Sequence, residues 1–127
     1  YFRSGDMTSE CGYRCMQELL ALGARRPTAV FSANFLLMTG VLKAMREAGL
    51  RCPADVEVMS SDDSEWLDVF EPPISTVIQP SYEMGTKAAE LLLKRMNEPA
   101  GKREKTLLDA ELRLRVTDRR QAGGPDS

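Results

Sequence analysis

Histidine is absent from the 127 residues. The chain therefore has no imidazole to act as a general base near neutral pH or as a neutral metal ligand. Cysteine is scarce and odd in number, three residues at Cys11, Cys15 and Cys52. An odd count without framework spacing excludes a disulfide scaffold. Cys11 and Cys15 are four apart and share a helix face, as a metal or redox pair would, but Cys52 alone does not complete a zinc site. Packed thiols in a reducing cytosol are the simpler reading, and no metal or cofactor is expected. No apolar run approaches the roughly 18 residues of a membrane span. The formal net charge of -2 gives no overall pull towards nucleic acid or an anionic membrane. Tyr1-Phe2-Arg3-Ser4-Gly5 has no apolar core behind it, so no signal peptide is expected, and a start without Met suggests that more chain precedes it. A Gly-rich phosphate loop and a nucleophile elbow are both missing, which leaves an enzyme with little support.

What is present fits one modest soluble domain. Hydrophobic residues make up 43% and charged residues 28%, a balance that argues against disorder. Thr8 or Ser9 can cap a helix that carries Tyr13, Met16, Leu19, Leu20 and Leu22 on one face and ends at Gly23. Thr28 to Phe31 has strand length. Asn34 is a good N-cap for a helix from about Phe35 to Ala48, with Leu37, Val41, Leu42 and Met45 on one side and Gly49 as its stop. Val56 to Met59 is a second buried strand, left at Ser60-Ser61-Asp62-Asp63. An acidic loop runs to Pro72-Pro73, and Ile74 to Ile78 is a third strand. Ser81 can cap a helix from Tyr82 to Asn97. Thr106 to Val116 alternates Leu108, Ala110, Leu112 and Leu114 against Asp109, Glu111, Arg113 and Arg115, which predicts a half-buried strand at a sheet edge. Gln121 to Ser127 reads as a frayed tail. The alternation of helix and strand predicts an α/β fold, a parallel sheet with covering helices. In such sheets the ligand crevice lies at the carboxyl ends of the strands, where Asp62 falls.

Several stretches carry a family likeness when taken in order. They are Pro27-Thr28-Ala29-Val30-Phe31 leading into Ser32-Ala33-Asn34, Gly40-Val41-Leu42-Lys43-Ala44, Ala48-Gly49-Leu50-Arg51, Pro53-Ala54-Asp55-Val56, Asp62-Asp63, Pro72-Pro73-Ile74-Ser75-Thr76-Val77 and Gln79-Pro80. Together they resemble the carboxyl-terminal part of LacI/GalR-type transcription regulators over about Gly5 to Thr117. The resemblance implies a two-lobed, periplasmic-binding-protein-like effector domain in a cytoplasmic homodimer. A small sugar-like effector between the lobes would change how an amino-terminal helix-turn-helix headpiece holds operator DNA. That headpiece is absent from this chain. Residues 1–77 would then be the second-lobe portion, 78–111 a first-lobe portion, and 112–127 a return strand and tail. The alternative on the same fold is a solute-binding protein of a sugar transport system.

The resemblance also implies site residues. Asp62 matches an effector-binding position, and a carboxylate accepts from two hydroxyls at once, as polyol recognition needs. The same residue at a strand end can instead cap local N–H groups. Asn34 resembles a family ligand residue and is also an N-cap. Gln79 matches a ligand position where the chain crosses between lobes, and equally reads as a solvated loop residue. Met7 stands where some relatives carry a ring that packs on the ligand. Phe70 and Trp66 read as dimer-interface or core aromatics. Asp63 would point the other way from Asp62 if the strand continued and so reads as structural, and two adjacent carboxylates are not the facing pair of acid–base hydrolysis. This chain has Ser60 and Ser61 where the family has glycine and an aromatic, and Phe35 where an aspartate is common. These departures leave the effector class open.

Overall fold

The computed structural model describes residues 1–71 and 74–115. Pro72, Pro73, Val116 and the expected tail from Gln121 to Ser127 lie outside the described residues. Helix α1 (Ser9–Leu20) begins where the extended Thr8 side chain accepts from the Cys11 N–H at 3.2 Å. That bond satisfies one of the four amides a helix start leaves open. Strand β1 (Ala29–Ser32) follows, then α2 (Phe35–Glu47), capped by Asn34, whose side-chain oxygen accepts from the Leu37 N–H at 2.8 Å. Gly49 closes α2 with a left-handed φ of 69°. The Leu50 N–H then reaches the Met45 carbonyl at 2.9 Å and the Gly49 N–H reaches Arg46 at 3.1 Å, the bond pair of a Schellman closure. Strand β2 (Glu57–Ser61), a 3-10 turn (Glu65–Asp68), β3 (Ser75–Ile78), α3 (Ser81–Asn97) and β4 (Glu111–Arg113) complete the order.

The strands lie in the order β1-β2-β3-β4. Parallel pairing sets Ser32 opposite Ser60 and Ser61 opposite Val77. The core gathers Met16, Met38, Val41, Ala44 and Met45 from the helices with Val56, Val58, Leu67 and Ile74 from the sheet side. Unbranched methionines fill the gap between helix and sheet without a fixed shape. Helices α1 and α2 touch backbone to backbone. A Cβ on Gly40 would stand 2.0 Å from the Ser9 carbonyl oxygen, and one on Gly12 would stand 2.2 Å from that of Leu37. Only glycine permits that approach.

The described residues form two compact units, one from Tyr1–Ile78 with those from Leu112 on, the other Gln79–Glu111. In the second, α3 buries no residue, and Tyr82, Leu92, Leu93 and Met96 are all exposed. Its first residue is Ser81; no side chain caps it, so the expected serine cap is corrected.

Two further expectations change. Ser60 and Ser61 belong to β2 rather than to its exit, and Ser60 is fully buried, its hydroxyl donating to the Ser61 carbonyl at 2.8 Å. A serine that bonds its own backbone can enter a core strand. The alternating segment forms only the three-residue β4, at the sheet edge as expected, but Leu112 and Leu114 are 55% and 72% exposed. Alternation names a face, while burial needs a second layer against it.

Arg115 fastens the end of that segment to the first unit. Its Nη2 lies 2.9 Å from Asp63 and 2.7 Å from Asp68, and its Nη1 donates to the Ile74 carbonyl and the Thr76 hydroxyl, each at 3.0 Å. Asp63 also accepts from Thr76 at 3.0 Å and from Arg113. Burial pushes the Asp63 carboxyl up. The Thr76 hydroxyl, the Arg115 guanidinium and the charge of Arg113 outweigh it and hold the group below its ordinary value.

Two outcomes follow. Gly40→Ala should lose about 1–3 kcal/mol in urea unfolding, because the added methyl meets backbone that cannot swing aside; an unchanged midpoint would remove the close contact. The lowered Asp63 group favours the folded state above the ordinary carboxylate value of about 4, and that share disappears as pH falls through its lower folded value. Asp63→Asn should therefore flatten the acid limb of a stability–pH curve below about pH 4; an identical limb in the variant would contradict the pairing.

Candidate functional site

The candidate site expected from the sequence lies just past the carboxyl ends of β1 and β2. Two residues past the Ser32–Ser60 pair, beyond the end of each strand, the chain carries a polar side chain, Asn34 after β1 and Asp62 after β2. Asp62 is half-buried and turns the chain with a φ of 68°, the one non-glycine in the left-handed region among the described residues. Aspartate tolerates that region better than most residues. Its N–H donates to the Val77 carbonyl at 3.0 Å, which carries the β2–β3 ladder one step past the last strand residue. A strained non-glycine corner at a sheet's carboxyl edge marks a place where function competes with local preference.

Asn34 and Met7 are brought together. The Asn34 amide nitrogen donates to the Met7 carbonyl at 3.4 Å while its oxygen caps α2. One side chain thus ties the segment before α1 to the start of α2, and both its polar ends are engaged locally. Met7 is 56% exposed. Gln79 follows β3 directly and opens the second unit, where it is exposed and its carbonyl accepts from the Ser81 N–H at 2.8 Å.

The two aromatics expected at an interface or in the core, Trp66 and Phe70, are not buried. Trp66 is 72% exposed and Phe70 41%, with Leu67 buried between them. A groove of about 700 Å³ runs along α2, lined by Phe35, Leu42, Leu50, Cys52 and Phe70 among others. Asp62, Asn34 and Met7 do not line it. The Cys11 and Cys15 sulfurs face each other at 3.8 Å, as their spacing predicts. Burial, with Cys15 and Asp6 beside it, pushes the Cys11 thiol up, away from the reactive thiolate. Among the described residues no three metal-capable side chains converge.

Arg115 is the residue that reading the sequence missed. Its polar place in the alternating segment was visible, but Asp68 lies 47 positions away, and no local spacing announces the pair. Ser32 was missed in the same way: it is buried beside the site and its hydroxyl donates to the Met59 carbonyl at 3.4 Å.

The periplasmic binding protein-like domain family matches residues 1–117. The HTH-type transcriptional repressor CytR of Escherichia coli K12 is 35% identical over 119 residues, which cover 94% of this chain and 35% of the repressor. Among solved structures, the transcriptional regulator CelR–cellobiose complex aligns with a TM-score of 0.79 at 35% identity, over 90% of this chain and 35% of that one. A ribose-bound LacI family transcriptional regulator from Enterococcus faecium gives 0.71 at 28% identity, over 88% and 41%. The chain spans about a third of the length of the curated relatives it matches. With helices covering strands that pair in parallel, and a match that runs from the first residue to residue 117, this chain belongs to the periplasmic binding protein-like domain family, and it is similar to part of LacI-family transcriptional regulators.

Proposed function

We propose that this chain is the effector-binding part of a LacI-type regulator and takes a small polyhydroxylated, sugar-like ligand. The observation that supports this most is the left-handed corner at Asp62, which sets a carboxylate at the carboxyl edge of the sheet beside Asn34 and Met7. A carboxylate that accepts from two sugar hydroxyls gives both affinity and orientation. The ribose and cellobiose named with two structural neighbours support this ligand class. Gln79 would add an amide from the second unit, and Met7 an apolar contact. On this reading residues 1–77 are a second-lobe portion, 78–111 a first-lobe portion, and 112–127 the return. The protein does no chemistry. Ligand favours one of two arrangements of the lobes, and operator DNA, held by a headpiece outside this chain, reads the difference. Such a protein acts in the cytoplasm, and no helix of the described residues is long and apolar enough to cross a membrane.

Exposed Trp66 and Phe70 suit the interface of a homodimer, where large aromatics are enriched.

Calorimetry with ribose and cellobiose tests the site in the protein that carries this chain. Asp62→Ala should weaken binding of the sugar that binds by about 10- to 100-fold, the worth of hydrogen bonds to a charged group, while the protein stays folded. Unchanged affinity would remove Asp62 from the site, and no binding of either sugar would remove the proposed class. Trp66→Ala with Phe70→Ala should shift sedimentation from dimer towards monomer; an unshifted dimer would place the interface elsewhere.

A further inference from the structure

We propose that Arg115 is a positioning residue for the Asp62 contact, holding the corner on which that carboxylate sits through its neighbour Asp63. The inference rests on the reading that Asp62 meets the ligand. A non-glycine residue at a left-handed φ persists only where its surroundings over-determine it. Here one side of Asp62 is clipped by its own N–H to the Val77 carbonyl at 3.0 Å. The other side is Asp63, which cannot shift without breaking its bond to Thr76 and its pairs with Arg113 and Arg115.

The guanidinium suits this task. Its side chain is only 9% exposed, and its Nε, Nη1 and Nη2 all donate, to two carboxylates, a carbonyl and a hydroxyl. A planar fork makes that set of directions; an ammonium group does not. Its main chain is fixed as well, the N–H donating to the Ser75 hydroxyl at 3.0 Å and the carbonyl accepting from it at 3.2 Å. Arg115 is thus anchored on β3 before its side chain reaches the corner. Through Asp68 the same group holds the 3-10 turn that bears Trp66. The corner and that exposed aromatic surface therefore share one fastening.

Two measurements on the protein that carries this chain decide the matter. The first needs no ligand. Hydrogen–deuterium exchange at single-amide resolution is compared in the native protein, Arg115→Met, Arg115→Lys and Asp63→Asn. The Asp62 amide should exchange about tenfold faster in Arg115→Met, while Glu57, whose N–H donates to the Thr28 carbonyl at 2.9 Å at the far end of β2, keeps its rate. Arg115→Lys should be intermediate, since charge returns without the fork. Asp63→Asn, the milder change, should move the Asp62 amide in the same direction if Arg115→Met does not fold. An unchanged Asp62 amide, or equal acceleration of Asp62 and Glu57, would overturn the proposal, the latter because it reports loss of overall stability.

The second measurement separates this inference from the ligand reading. With ribose or cellobiose, whichever binds, Arg115→Met should weaken affinity alone yet add nothing to Asp62→Ala, because a residue acting through Asp62 has nothing left to act on. Additive losses would overturn the proposal. Full binding by Asp62→Ala would instead sink the ligand reading while the exchange pattern still judged the corner.

Discussion

Strand β2 is bonded in parallel to β1 on one side and β3 on the other, so neither of its edges is free. A strand closed on both sides has one register, because a one-residue slip would carry Val58 out of the core and a polar neighbour into it. That fixed register decides where the strand ends. The ladder reaches one residue beyond Ser61, through the Asp62 amide, and the chain then turns left-handed. The place of the candidate carboxylate is thus a consequence of how the middle of the sheet is paired. The register of β1 against β2 sets Asn34 at the matching place just after β1, two residues past Ser32.

The helices reinforce this edge from below. Gly12 and Gly40 let α1 and α2 meet at the backbone, and the hydroxyls of Thr39 and Ser9 bond across the contact at 3.1 Å. Because α1 starts just after Met7 and α2 just after Asn34, bringing the helix starts together brings those two residues together. The Asn34–Met7 bond is the visible result. Backbone contact of this kind leaves little room for sliding, since packed interiors deform poorly. The first unit is therefore stiff where α1 and α2 meet. The second unit differs in kind: α3 presents Tyr82, Leu92, Leu93 and Met96 uncovered, and carries its polar residues in surface pairs such as Lys87–Glu90.

Local signals in the sequence were legible and distant ones were not. Thr8 and Asn34 as caps and Gly49 as a stop could be read because each acts within four residues of itself. Parallel pairing of β1, β2 and β3 followed from the alternation of helix and strand. The α2 face was read correctly at Val41 and Met45, which are buried, but Met38 and Ala44 were not picked out, and Leu37 is only half-buried and lends its carbonyl to the contact with Gly12. Ser60 and Ser61 were taken for the strand exit because serine usually signals a turn, yet Ser60 satisfies itself in the core. Leu112 and Leu114 carried a correct alternation but the wrong burial, since apolar faces name a partner layer without supplying it. Arg115 escaped notice because its meaning lies wholly in residues brought to it by folding. At the site, the resemblance pointed to Asp62 and Asn34; it gave no hint that Asn34 would spend both polar ends on caps and ties.

The central claim is that the carboxyl edge of β1 and β2 is where a sugar-like molecule meets this chain. Amide chemical-shift mapping during a titration with ribose and then cellobiose addresses it directly. The largest changes are expected at Met7, Asn34 and Asp62. Changes centred instead on the groove lined by Leu42, Cys52 and Phe70, or none at the three edge residues with either sugar, would contradict it.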